Sequence, residues 1–268
     1  MTNYVTSADG TRIAFDRQGR GAPMIVVGGI LCDRAKTRAL AEAFSRHCLA
    51  INYDRRGRGQ SGDSPAYAVT REIEDIGALI AAAGGMASVY GHSSGAGLAL
   101  NAAVAGLPID RLVLHEPPYG PDDDESKRGA RQMAAAMREL IASDRRAEAI
   151  AMFFSAVGVP QETAAEWSED PRMLSMAPTM LYDYYVMGDF DGGTIPERLI
   201  RAIDMPTLVL AGGASLDFFR DTASRISELL PDGRYVVLDG QDHEADPDVV
   251  APVVAEFIAA ERWGATPA

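Results

Sequence analysis

Gly91-His92-Ser93-Ser94-Gly95 carries the first chemical signal in the chain. It sets a serine between two glycines where an apolar run over residues 86–90 gives way to helical spacing at Leu98, Ala99, Ala102 and Ala103. A strand that turns at once into a helix around a serine leaves no room for side chains at the two flanking positions, so glycine holds both. Such an elbow pushes the Ser93 hydroxyl into a cleft. It also puts the Ser94 N–H at a helix N-terminus, where partial positive charge suits an oxyanion. A glycine-serine cluster by itself also marks a plain loop; here the strand before it and the small residues after it point to the elbow.

A serine hydroxyl is a poor nucleophile at neutral pH and needs an imidazole, itself oriented by a carboxylate. Four histidines are available. His47 falls in a helical stretch, His92 lies inside the elbow with its ring directed away from Ser93, and His115 ends a strand. His243, in the loop after the last strand, is the one placed to act as general base. Glu116 follows the strand at residues 111–114, so it shares with Ser93 a position at a strand's carboxyl end. A second oxyanion donor is expected near Gly29 or Ile30, because the pair Gly28-Gly29 after a strand lets the backbone turn sharply and present N–H groups.

Alternating strands and helices supply the frame. Residues 3–7 and 11–16 read as a hairpin joined at Asp9-Gly10, and residues 23–27 as a continuous apolar strand of the kind that lies inside a parallel sheet. A helix is expected over 34–47, a strand over 49–53, and a helix over 72–83 before the elbow strand. The loop at residues 54–62 is punctuated by glycine but lacks the Gly-Lys-Ser/Thr ending of a phosphate loop, so its Arg and Asp residues are read as bracing the cleft floor. After residue 200 come a strand at 206–210, a helix through 230, a strand at 235–238 and a closing helix over 247–261, with Pro247 near its start. Such βαβ units imply a parallel sheet whose functional groups gather at the carboxyl ends of the strands.

Residues 121–200 break the alternation. The stretch is helical in pattern and holds seven of the chain's eleven methionines, with Phe153, Phe154, Trp167, Tyr182, Tyr184 and Tyr185. Flexible, polarizable side chains suit a lid over an apolar pocket, while a share of them pack the insertion's own core. Asp122-Asp123-Asp124-Glu125 at its start reads as a solvated charge run. The chain therefore divides into a core (1–120 and 201–268) and a helical cap (121–200).

At 268 residues the chain can build one large α/β domain with a modest insertion. A formal net charge of −13 and a pI of about 4.7 argue against nucleic acid or an anionic membrane surface as a partner. Neither a signal peptide nor an apolar run of membrane-spanning length is visible. Cys32 and Cys48 lack metal-ligand spacing, and free thiols in a reducing, cytoplasmic setting are expected.

Over essentially its full length the sequence resembles the α/β-hydrolase superfamily. The glycine pair after the third strand, Asp54-x-x-Gly57-x-Gly59-x-Ser61, the Gly-His-Ser-Ser-Gly elbow and the late His243 occur in that superfamily's order. The resemblance implies an eight-stranded, mostly parallel sheet, a helical cap inserted after the sixth strand, and an acyl-enzyme mechanism without cofactor or metal. Most of the superfamily carries its acid a few residues after the glycine that ends the seventh strand. Here Ser215 holds that place and Asp217 comes two residues later. Zearalenone lactonase and its relatives instead use a glutamate directly after the sixth strand, in a His-Glu-x-Pro context that follows a Ser-Ser-Gly-Ala elbow. This chain has Ser93-Ser94-Gly95-Ala96 and His115-Glu116-Pro117-Pro118, so the resemblance favours Glu116 and leaves Asp217 as the alternative.

The implied activity is hydrolysis of an ester or lactone of an apolar small molecule. A cofactor-free haloperoxidase-like enzyme forming peracids, and a non-hydrolytic ligand-binding or cyclisation-assisting protein on the same fold, are the other readings. Serine rather than aspartate at the nucleophile position disfavours epoxide hydrolase and dehalogenase chemistry.

Overall fold

The strands β1 (Asn3–Thr6), β2 (Arg12–Gly19), β3 (Pro23–Val27), β4 (Leu49–Tyr53), β5 (Ala87–His92), β6 (Ile109–His115), β7 (Thr207–Gly212) and β8 (Gly233–Leu238) form one sheet. In the computed structural model, which describes residues 2–260, their order is β1-β2-β4-β3-β5-β6-β7-β8. β1 and β2 pair antiparallel, as do β2 and β4, and every other neighbour is parallel. The hairpin turn lies where Asp9-Gly10 predicts, Gly10 having a φ of +87°.

The helices are α1 (Arg38–Phe44), α2 (Val69–Ala82), α3 (Ser94–Val104), then α4 (Asp124–Ala142), α5 (Arg146–Ala156), α6 (Gln161–Ser168), α7 (Pro171–Met176), α8 (Met180–Met187) and α9 (Glu197–Ile200) between β6 and β7, and finally α10 (Asp217–Leu229) and α11 (Pro247–Ala259). Both faces of the sheet are covered, so its central strands read as unbroken apolar runs. Ile25, Val27, Val89, Leu112 and Leu114 pack with residues of α2, α3 and α10, whereas Met24, Val26, Tyr90, Val113 and Leu208 pack with α1 and α11. The period of two along each strand thus sorts the core into two layers.

Helix α1 is shorter than the predicted 34–47. The Asp33 carboxylate accepts hydrogen bonds from the N–H groups of Ala35 and Lys36, holding that stretch in a turn, while Arg34 is drawn to Asp54 and Asp16. The predicted end of the last helix at Glu261 lies outside the described residues.

The insertion has its own core of Ala134, Met137, Ala149, Ile150, Met176, Ala177, Met180 and Tyr184, to which the loop after β3 contributes Leu31. Of the methionines expected to line a pocket, Met137, Met176 and Met180 are consumed by this cluster, and Met187 packs in the layer that holds α3. The acidic run before α4 does more than meet solvent, since Asp123 caps the helix by accepting from the Ser126 N–H. No helix among the described residues is long and apolar enough to cross a membrane. Cys32 and Cys48 are both free.

The loop after β4 is held by buried ion pairs. Arg56, fully buried, donates through Nε and Nη2 to Asp75 at 2.8 and 2.7 Å and through Nη1 to Asp9 at 2.9 Å. Removing one partner of such a group leaves an uncompensated charge in the interior. Arg56→Met is therefore expected to cost about 3–5 kcal/mol, read as a lowered urea midpoint at unchanged slope; a midpoint equal to wild type would show that Asp75 is not stranded by the change.

Candidate active site

The elbow is built as its glycines require. Ser93 sits at φ 56° and ψ −130°, a region that costs a non-glycine residue about 1–3 kcal/mol and persists only where its surroundings enforce it. A Cβ at Gly91 would stand 2.4 Å from Gly95 O, and one at Gly95 2.4 Å from Val27 O, so neither position tolerates a side chain. The Ser93 N–H is tied to His115 O at 2.9 Å, which fixes the serine beside the end of β6. Glu116, the next residue along, also has a positive φ of 48°.

Because β5, β6, β7 and β8 are consecutive in the sheet, the loops at their carboxyl ends meet. There His243 Nδ1 lies 2.5 Å from Glu116 Oε2, and the Gly212 N–H donates to Glu116 Oε1 at 2.7 Å. Burial pushes the Glu116 carboxyl upward, but the hydrogen bonds from His243 and Gly212 favour the charged form and the group is held at about 2. The glutamate is therefore a charged acceptor with no exposure to solvent.

Asp217 does not reach this cluster. It opens α10, 86% exposed, and pairs with Arg220. Phe219 of the same helix instead stacks on the His243 ring with centroids 4.4 Å apart and an interplanar angle of 21°. His92 Nε2 donates to His243 O at 2.8 Å. Burial above all, and the nearby His243, push His92 down to about 4, and burial holds His115 well below the usual imidazole range, so both rings are neutral at pH 7.

The loop after β3 packs against the elbow, where a Cβ at Gly29 would be 3.1 Å from Ser93 Cβ. Its carbonyls are held from behind, as the Arg and Asp content of the loop at 54–62 suggested. Arg55 Nη1 donates to Gly28 O at 3.3 Å and Arg58 Nη1 to Gly29 O at 2.6 Å. Among the described residues the Ile30 N–H has no hydrogen-bond acceptor, and the Ser94 N–H opens helix α3. The structure thus gathers Ser93, Ser94, Gly29, Ile30, Glu116 and His243 at one end of the sheet. No cluster of side chains among the described residues could hold a metal ion.

Sequence reasoning missed three contributors. Phe219 carries no local signal, and Gly212 acts through its N–H alone. The third, Asp183 of α8, is the lone charge in an apolar helix and bonds to Arg55, Arg58 and Ser94 Oγ. That isolated acid was the visible clue.

An eight-stranded, mostly parallel sheet with a serine elbow after β5 and helices on both faces defines an α/β hydrolase. The model of the alpha/beta hydrolase family matches residues 28–253, and the chain belongs to that family. An alpha/beta hydrolase from Sphaerobacter thermophilus DSM 20745 is 46% identical, the match covering 96% of this chain and all (100%) of that one, with a TM-score of 0.84. A thermophilic esterase from Thermogutta terrifontis shares the fold at 22% identity, over 96% of this chain and 98% of that one, with a TM-score of 0.70. An esterase from Exiguobacterium antarcticum shares it at 18% identity, over 91% and 92%, with a TM-score of 0.72. No curated protein matches the chain.

Proposed function

We propose that the protein is a serine hydrolase that cleaves a carboxylic ester or lactone of an apolar small molecule through an acyl-enzyme. The observation that carries this reading is the 2.5 Å contact of His243 Nδ1 with the buried Glu116 carboxylate, beside a serine held in an elbow. A carboxylate on Nδ1 fixes the tautomer that leaves Nε2 free to take a proton. Ser93 Oγ attacks the carbonyl carbon and gives its proton to His243 Nε2. The oxyanion is received by the Ser94 N–H and by the N–H of Gly29 or Ile30. Collapse expels the alcohol, protonated by His243, and water activated by the same imidazole releases the acid. In apo structures such catalytic hydrogen bonds are often long and tighten only in the complex.

Residues 121–200 act as the cap in this reading. The apolar-substrate reading rests on the methionine and aromatic content of this stretch, part of which packs the insertion's own core. The lactone alternative rests on the likeness of the His-Glu-x-Pro segment to the lactonase group.

A fluorophosphonate probe should label Ser93 and no other residue, as read by intact mass and peptide mapping. A panel of p-nitrophenyl esters and of aliphatic and aromatic lactones should then give kcat/KM rising with acyl length, each well-buried methylene contributing somewhat less than about 1 kcal/mol. Labelling away from Ser93, or no turnover of any ester or lactone by a labelled enzyme, would sink the reading.

A further inference from the structure

Asp183 lies 2% exposed on α8, a helix of the insertion, yet all three of its side-chain partners belong to the core. Its Oδ1 accepts from Arg55 Nη1 at 2.5 Å and from Ser94 Oγ at 2.8 Å, and its Oδ2 accepts from Arg58 Nη2 at 2.5 Å. The same two arginines grip the loop after β3 by its carbonyl oxygens, Arg55 at Gly28 O and Arg58 at Gly29 O.

A peptide group is planar and trans, so fixing its C=O fixes the opposite direction of its N–H. Gly28 O shares a plane with the Gly29 N–H, and Gly29 O with the Ile30 N–H. A guanidinium on each oxygen therefore aims the N–H beyond it and polarises it as a donor. Ser94 is held by its own side chain. Both backbone segments that would meet an oxyanion are thus tied to a single carboxylate supplied by the insertion.

We infer that Asp183 is a positioning residue that sets the direction of the oxyanion-binding N–H groups, so that the helical insertion and the chemical step are coupled through it. This inference rests on the serine-hydrolase reading above.

Electrostatics would act in the opposite sense. The two buried arginines are balanced by Glu72, which takes Arg55 at 2.7 and 2.8 Å, and by Asp183. Burial raises the Asp183 carboxyl, but the Coulombic pull of Arg55 and Arg58 and the bond from Ser94 bring it below its usual range, so it is charged. Asp183→Asn would leave a net positive charge near the oxyanion, which alone would speed the reaction. Lost alignment would slow it. The sign of the change in kcat therefore separates position from charge.

Asp183→Asn is expected to lower kcat by about 10²-fold, the scale of losing one oxyanion donor, with KM nearly unchanged. Affinity for a trifluoromethyl ketone, which forms an oxyanionic adduct on serine, should fall in proportion to kcat/KM. Ser94→Ala, which keeps the N–H and removes one of the three bonds, should lower both by about five- to tenfold. A lowered Tm with kcat and ketone affinity at wild-type values, or a raised kcat, would overturn the inference. Should Asp183→Asn not fold, Ser94→Ala decides alone, and wild-type kcat and ketone affinity in that variant would refute it. Fluorophosphonate labelling of the wild type keeps the two levels apart. Without an adduct at Ser93 the serine-hydrolase reading fails and takes this inference with it. With the adduct present and both variants behaving as wild type, only the role of Asp183 falls.

Discussion

Ser93→Ala should lower kcat for ester hydrolysis by about 10⁶-fold, the scale seen when the nucleophile of a serine triad is removed. The loss is so large because the hydroxyl supplies the bond that makes the acyl-enzyme, and His243 and the oxyanion donors can assist only a reaction that has a nucleophile. What remains should still exceed the uncatalysed rate, since the Ser94 and loop N–H groups stay in place and continue to polarise a bound carbonyl. KM should change little, as the hydroxyl contributes to the transition state rather than to ground-state binding. Alanine keeps the Cβ that makes the φ of 56° unfavourable, so Tm should stay near wild type, whereas Ser93→Gly should raise it while being equally inactive. Steady-state kinetics with thermal unfolding on both variants tests this. An alanine variant of near-normal kcat would mean that ester cleavage does not run through Ser93.

Local pattern carried the elbow and the sheet because both are properties of short stretches. The apolar runs that became β3, β5 and β7 end in glycines, and the crowding at Gly91 comes from Gly95 and Ala96, a few residues on, whereas that at Gly95 comes from the end of β3 and is not local. His243 is read by elimination, as the one of four histidines in a loop after the last strand; β6 and β7 separate β8 from the elbow strand, and the loop after β8 brings His243 Nδ1 to Glu116. Long-range polar contacts were not legible. Asp183 meets Arg55, Arg58 and Ser94 across separations of 128, 125 and 89 residues, and nothing in the run around Asp183 says which charges it will find. The early turn that shortens α1 has the same origin, because Arg34 leaves the helical pattern to reach Asp54 twenty residues on. The methionines of the insertion are expected to divide between a pocket lining and the insertion's own core. Their composition fitted a pocket lining, but a helical insertion must bury a core of its own, and Met137, Met176 and Met180 fill it.

Glu116→Gln should reduce kcat by about 10⁴-fold, the cost of the equivalent amide substitution in a serine protease triad. The geometry gives a specific reason. Glu116 Oε1 accepts the Gly212 N–H at 2.7 Å while Oε2 faces His243 Nδ1 at 2.5 Å. A glutamine in that position keeps its carbonyl oxygen on the Gly212 N–H, because two donors cannot face each other, and so turns its NH₂ toward Nδ1. The imidazole must then accept at Nδ1 and carry its proton on Nε2, the tautomer that cannot take the proton of Ser93. The lost charge also removes support for the imidazolium that forms as Ser93 attacks.

Acid stability should report the same contact. With its carboxyl lowered from 4.5 to about 2 by folding, Glu116 contributes stability that is fully present above pH 4.5 and lost as the pH falls through about 2. The gap in urea stability between wild type and Glu116→Gln should therefore close over that window. Asp217→Asn should change kcat by less than about twofold, since the residue is 86% exposed and spends its charge on Arg220. Kinetics on both variants, with circular dichroism to confirm folding, decide between the two carboxylates: a crippled Asp217→Asn beside a nearly normal Glu116→Gln would mean that α10 repositions in the working enzyme and that Asp217, not Glu116, orients His243 during turnover.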